Sequence, residues 1–175
     1  MYAIINLVFY VFLIFIVNFI FAENTVIDFN NKSIGVRYKD NSSDLIIYST
    51  QGKELGTYLI ESVGPDCRVL SMFSDVVNNT EILFVEVYLG NPGGRQSLDL
   101  RNLYIFKIDN KGKFKLILEK EIVNIHYSVS AKDFTSFKFY FYTYNPNNKI
   151  LSIFDSKYYE ITEIEKIDIK QLIKQ

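Results

Sequence analysis

His126 and Cys67 are the only histidine and the only cysteine among 175 residues, and that scarcity bounds the chemistry. A Ser–His–Asp or Cys–His arrangement would have to recruit His126, in "VNIHYSV", with a distant Ser or with Cys67. No "G-x-S-x-G" or comparable nucleophile context is present, and the apolar neighbours of His126 read as a strand in which it has a structural role. One imidazole and one thiol cannot make a zinc site of the usual kind without several carboxylates. Cys67 lies in "CRVLSMF" and reads as a small buried side chain. As a lone thiol it closes no internal disulfide, so stability must come from packing.

Carboxylates are plentiful, with 20 Asp and Glu residues, so composition leaves a two-carboxylate glycosidase chemistry open. No pair stands out. Glu81 and Glu86 lie on one predicted strand at an odd spacing, which puts them on opposite faces. A stronger signal is "GNPGGRQSLDLR", residues 90–101. Gly90, Pro92, Gly93 and Gly94 break the strand ending at Leu89, and the chain takes longer than a hairpin needs to resume at "NLYIFKI". Long loops carried by rigid sheets are where binding concentrates. Asn91, Arg95, Asp99 and Arg101 are therefore the candidate binding residues, with Arg95 and Arg101 as guanidinium forks for a carboxylate, a phosphate or a partner side chain. The plain alternative is a solvated loop in which Asp99 pairs with a neighbouring Arg. The glycines do not form a phosphate cradle, because the Walker spacing and the Lys-Ser/Thr ending are missing.

The stretch "SDVVNNTEILFVEV" carries an acidic, Asn-rich turn into an aliphatic strand. It resembles the "D-x-N-x-D-G-x-x-E" turn and following strand of the integrin-type and VCBS repeats of β-propeller proteins. In that comparison Asp75, Val77 and Asn79 take the alternating positions and Glu81 heads the strand. The resemblance, over residues 75–86, implies a hairpin style. Calcium needs six to eight oxygen ligands and a glycine at the tight turn. Val77, the neutral Asn79 and Thr80 in place of that glycine leave too few charges, so the metal loop is degenerate and neither metal nor cofactor is expected. An ordinary turn between strands accounts for the same residues.

The elements that must position these residues read as hairpins. "TVIDF" and "SIGVRYK" flank "NNK", "DLIIYS" and "ELGTYLIESV" flank "TQGK", "NLYIFKID" and "KFKLILEKEIV" flank "NKG", and "KILSIFD" and "YYEIT" flank "SK". Each pair sets β-branched and aromatic residues around a short polar turn. Alternation in "YIFKI" and "FKFYFYTY" gives strands with one face toward a core. Only the tail, "EIEKIDIKQLIKQ", has helical character, and it allows one short helix. The expected fold class is all-β: an antiparallel meander of hairpins forming a sandwich or a propeller-blade-like stack.

Residues 1–22, "MYAIINLVFYVFLIFIVNFIFA", contain no charged side chain. The run closes on Ala22 with Ile20 two residues before it, which fits a signal peptide cut before Glu23. Its length also suits an uncleaved anchor. Either way residues 23–175 are exported, to the periplasm or beyond, as a single all-β domain, and the membrane is touched only through residues 1–22 if they stay attached. A formal net charge of −1 lacks the basic surplus of a nucleic-acid or anionic-membrane binder. The 13 Tyr and 15 Phe against no Trp match the Ile, Asn and Lys bias of an AT-rich genome and are set aside as evidence of stacking. Sequons at Asn31, Asn41 and Asn78 are expected by chance in so Asn-rich a chain.

The resulting expectation leans away from an enzyme. It is an exported, non-catalytic binding protein of the cell envelope whose partner is another envelope or secreted protein, as an inhibitor or immunity-type protein would be. The alternatives are a carboxylate-dependent hydrolase of envelope polysaccharide and a structural subunit of a surface assembly that pairs through exposed edge strands.

Overall fold

The computed structural model describes residues 26–29, 31–91, 96–128, 132–157 and 160–174. The apolar segment 1–22 lies outside them. The chain is all-β, with two antiparallel sheets in which every neighbour in space is a neighbour in sequence. The first sheet is β1 (Val26–Phe29), β2 (Lys32–Tyr38), β3 (Leu45–Thr50) and β4 (Glu54–Ile60), in that order. The second runs β5 (Arg68–Val77), β6 (Thr80–Tyr88), β7 (Gln96–Ile108), β8 (Phe114–Ser128), β9 (Asp133–Asn145), β10 (Ile150–Lys157) and β11 (Glu160–Asp168), followed by one turn of helix, α1 (Ile169–Leu172).

Side-chain alternation fixes how the sheets meet. On β3, Leu45, Ile47 and Ser49 are buried and the residues between them are less so, the period expected of a strand with one covered face. Leu45 and Ile47 join Ile34, Val36, Leu83, Val85, Val87 and Phe106 in a core between the two sheets, a sandwich-like arrangement. The opposite face of β6 and β7 carries Ile82, Phe84, Leu103 and Ile105, which pack with Leu151 of β10 and with Ile169 and Ile173 at the C-terminus. Burial on both faces explains why "ILFV" in β6 is continuously apolar rather than alternating. The second sheet therefore curls, and β9–β11 with α1 cover part of the face that the first sheet leaves open.

Turn chemistry agrees with the register. Val77 pairs with Thr80, so Asn78 and Asn79 form a two-residue hairpin loop, and their φ values of 50° and 61° are those of a type I′ turn, which requires positive φ at both central positions. Gly90 has φ +92°, and a Cβ there would lie 2.3 Å from the Gly64 carbonyl oxygen. The start of the β6–β7 connection is thus pinned against the β4–β5 link, where Asn91 N–H also donates to the Pro65 carbonyl at 3.3 Å.

The structure corrects one expectation and places two other segments more closely. First, the connection after Leu89 does not reach Arg101: β7 begins at Gln96, and Asp99 and Arg101 are paired with Ile125 and Val123 of β8. The alternation in "SLDLR" is a strand signal that the preceding glycines mask. Second, the one short helix expected in the tail is present at Ile169–Leu172, and the residues before it, Glu160–Asp168, pair with β10. Pairing to a formed neighbour overrides a weak helical preference. Asp168 caps the short helix by accepting from Lys170 N–H at 2.8 Å. Third, "FKFYFYTY" lies in an inner strand of the second sheet: β9 pairs with β8 through residues 133–139 and with β10 through 140–145.

Candidate functional site

Of the sequence-nominated residues, Asp99 and Arg101 lie on the second face of the curled sheet. Residues directly opposite in an antiparallel ladder point to the same side, so the register gives two cross-strand rows. Arg68, Tyr88, Arg101, Val123 and Phe139 form one, and Asp99, Ile125 and Phe137 the next. Within them Arg101 grips Asp99 through both carboxylate oxygens, Nε to Oδ1 at 2.8 Å and the terminal nitrogen to Oδ2 at 2.7 Å. That fork raises the Arg101 pKa further above its already high value. Both side chains remain about 30% exposed (30% and 32%). The Arg68 guanidinium lies 4.6 Å over the Tyr88 ring, a cation–π contact. Asn91 sits at the entry of the β6–β7 connection, and Arg95 lies outside the described residues.

Beside this charged strip stand aromatic side chains that the sequence did not single out. Phe134 and Phe137 are 53% and 60% exposed. Their rings meet edge to face at 5.8 Å, and Phe134 meets Tyr127 at 5.2 Å. The three come from the far end of the β8–β9 pair, on the same side of the sheet as Asp99. Phe137 shares a cross-strand row with Asp99, with Ile125 of β8 between them, so two large, exposed phenylalanines lie on one sheet face with the arginine–carboxylate and arginine–tyrosine pairs, the composition of an interface centre.

Deeper on the same face is a half-buried carboxylate. Glu86 Oε2 accepts from Tyr142 Oη at 3.2 Å and Ser71 Oγ at 3.5 Å, and the two hydroxyls are 3.2 Å apart. Burial raises the Glu86 pKa, and the Arg101 charge and the two hydroxyls only partly offset it. Burial, and then the neighbouring Glu86, also raise the Tyr142 phenol. Tyr142 lines a cleft of ≈ 440 Å³ with Phe73, Ser74, Asp75, Tyr144 and Pro146. Its floor is aromatic: Phe73 stacks on Phe84 at 4.6 Å, and Phe84 meets Tyr144 at 4.6 Å. Asp75 accepts from Tyr144 Oη at 2.5 Å and Lys149 Nζ at 2.7 Å through Oδ2, and from Val76 N–H at 2.7 Å through Oδ1. Burial alone would raise this carboxyl, but these donors together hold it below its ordinary value.

The other residues with chemical potential are separated from this face. Glu81 lies on the opposite side of β6 from Glu86 and pairs with Lys32 at 3.0 Å. Asp75 and Glu81, which the repeat resemblance set in one loop, thus face opposite sides of the hairpin, and Val77 is buried. Among the described residues no group of three or more His, Cys, Asp or Glu side chains could hold a metal ion. Cys67 is fully buried, and its thiol is pushed up to about 11, mainly by desolvation, so it is a protonated core residue at neutral pH. His126 lies in β8, as its apolar neighbours suggested.

The cleft had a sequence signal, since Tyr140, Tyr142 and Tyr144 recur at every second position and must share one strand face. Nothing local ties that stripe to Asp75 or Glu86. Comparison with protein families, curated proteins and solved structures finds no match, so the functional reading rests on this geometry.

Proposed function

We propose that residues 23–175 form an exported, non-catalytic binding protein of the cell envelope whose partner is another envelope or secreted protein, of the kind an inhibitor or immunity-type protein would be. The observation that carries this reading is the exposed Phe134–Phe137 pair on the same sheet face as the Arg101–Asp99 fork. Phenylalanines supply apolar area that water gives up on docking, and the fork supplies orientation. Export is supported by the uncharged segment 1–22. A binding role over a hydrolytic one is supported by how the two carboxylates nearest the cleft are held: Asp75 by Lys149, Tyr144 and Val76 N–H, and Glu86 by Tyr142 and Ser71.

The test is affinity capture from envelope extract with wild type, Phe134→Ser/Phe137→Ser and Arg101→Ala. Truncating central interface anchors costs about 2 kcal/mol or more each, so the double phenylalanine variant should lose at least about thirtyfold in affinity while keeping its circular dichroism. Equal retention by all three proteins would remove this surface from the account.

A further inference from the structure

The tyrosine-lined cleft is a second site, away from the exposed phenylalanines. From its walls and hydrogen-bonding groups we infer that it binds a neutral saccharide unit, with the flat apolar side of the sugar on the Phe73 and Tyr144 rings and its hydroxyls on the two tyrosine oxygens. The volume of ≈ 440 Å³ falls in the range of roughly 300–1,000 Å³ typical of small-molecule sites. Aromatic walls with a few fixed polar groups are the usual lining of such sites.

The polar groups choose among ligand classes. Tyr142 Oη donates to Glu86 and Tyr144 Oη donates to Asp75. Each phenol has one donor and two acceptor positions, so with the donor committed to a carboxylate, what each tyrosine offers is acceptor capacity for a ligand hydroxyl. To gain the Lys149 ammonium, a phosphate or carboxylate ligand would have to displace Asp75. The Asp75 charge is already balanced by Lys149 Nζ at 2.7 Å, so a cation would have to displace an intramolecular ion pair to gain an anchor. What remains favourable is an uncharged molecule with several hydroxyl donors and an apolar side, and a pyranose ring combines the two.

Because the chain contains no Trp and 13 Tyr, its intrinsic ultraviolet emission comes from tyrosine, and ligand contact with Tyr142 and Tyr144 should change it. The experiment titrates the exported protein with glucose, N-acetylglucosamine and the β-linked oligomers of each. Inorganic phosphate and tetramethylammonium serve as charged probes. Saturable change with at least one neutral saccharide in the millimolar range or tighter and none with the charged probes is the expected result. Tyr144→Phe should weaken that binding about three- to tenfold, the worth of one hydrogen bond, and Phe73→Leu should weaken it with the hydroxyl pair intact, both at unchanged secondary structure. No saturation with any neutral saccharide, saturation with a charged probe, or wild-type affinity in both variants would overturn the assignment. Because neither variant touches Phe134, Phe137 or Arg101, the outcome is independent of protein-partner capture.

Discussion

The Lys32–Glu81 pair offers the sharpest test of how the two sheets are joined. Lys32 Nζ reaches Glu81 Oε2 at 3.0 Å with side-chain exposures of only 10% and 14%, and it also donates to the Asp109 carbonyl at 3.4 Å. It is a charge pair between β2 and β6, shielded by the first sheet. Replacing Glu81 by Leu leaves the ammonium with that long carbonyl contact, and replacing Lys32 by Met takes this cation away from the carboxylate. Breaking a buried pair from one side costs about 3 to 5 kcal/mol. We take about 3 kcal/mol here, since neither side chain is wholly sealed from water. At roughly 2–4 °C per kcal/mol for a domain of this size, each single variant should melt about 6–12 °C below wild type. The double variant Lys32→Met/Glu81→Leu removes both desolvated charges and should recover most of that loss. Thermal unfolding followed by circular dichroism at low and high salt reads all four proteins, and the single-variant losses should change little with salt because the pair is shielded. Single variants that melt within a degree of wild type, or a double variant whose loss equals the sum of the singles, would refute this description of the sheet junction.

Further consequences are equally measurable. Glu86 has a raised pKa in the folded state, so its favourable contribution is present below the unfolded value of about 4.3 and is lost as pH rises through the folded pKa. Glu86→Gln should therefore melt higher than wild type at pH 7, with the difference vanishing near pH 4, and a lower melting point at pH 7 would contradict the assignment. A Cβ at position 56 would sit 2.6 Å from the Gly112 carbonyl oxygen and 3.0 Å from Lys113 Cα. Gly56→Ala must push the β3–β4 hairpin off the β7–β8 turn and should cost about 1–3 kcal/mol in urea unfolding. Asn79→Gly should be neutral or slightly stabilising and Asn79→Val destabilising by about 1 kcal/mol or more, because φ is 61° there. The Cys67 thiol should resist alkylation at pH 8 in the native protein and react promptly in denaturant.

Much of the fold was legible because its information is local. Alternation and short Asn, Gly and Lys turns mark the hairpins, and consecutive hairpins make a meander without long crossovers. The misreading has a local cause too. "GNPGG" is such strong loop punctuation that the strand period of "SLDLR" after it was passed over, which left Asp99 and Arg101 on a loop when they are held on β7. Within "EIEKIDIKQLIKQ" the expected short helix forms only after Asp168, where β10 stops supplying backbone partners. The site was less legible because its contacts join distant segments. Tyr142 meets Glu86 56 residues away and Lys149 meets Asp75 74 residues away, and both contacts depend on how far the second sheet curls. The exposure of Phe134 and Phe137 was hidden for the same reason. A strand of alternating phenylalanines and tyrosines looks like a core strand until it is known which part of the sheet the C-terminal strands cover.

The central claim, that the face bearing Phe134, Phe137, Asp99 and Arg101 docks a protein partner, is tested most directly by a photo-crosslinking residue placed at Phe137 of the full chain in its own cells. The control carries the same residue at Ile164, which is 45% exposed on β11. The account predicts one discrete protein adduct from position 137, absent from position 164 and abolished by Arg101→Ala. No adduct at 137, or the same adduct from both positions, would contradict it.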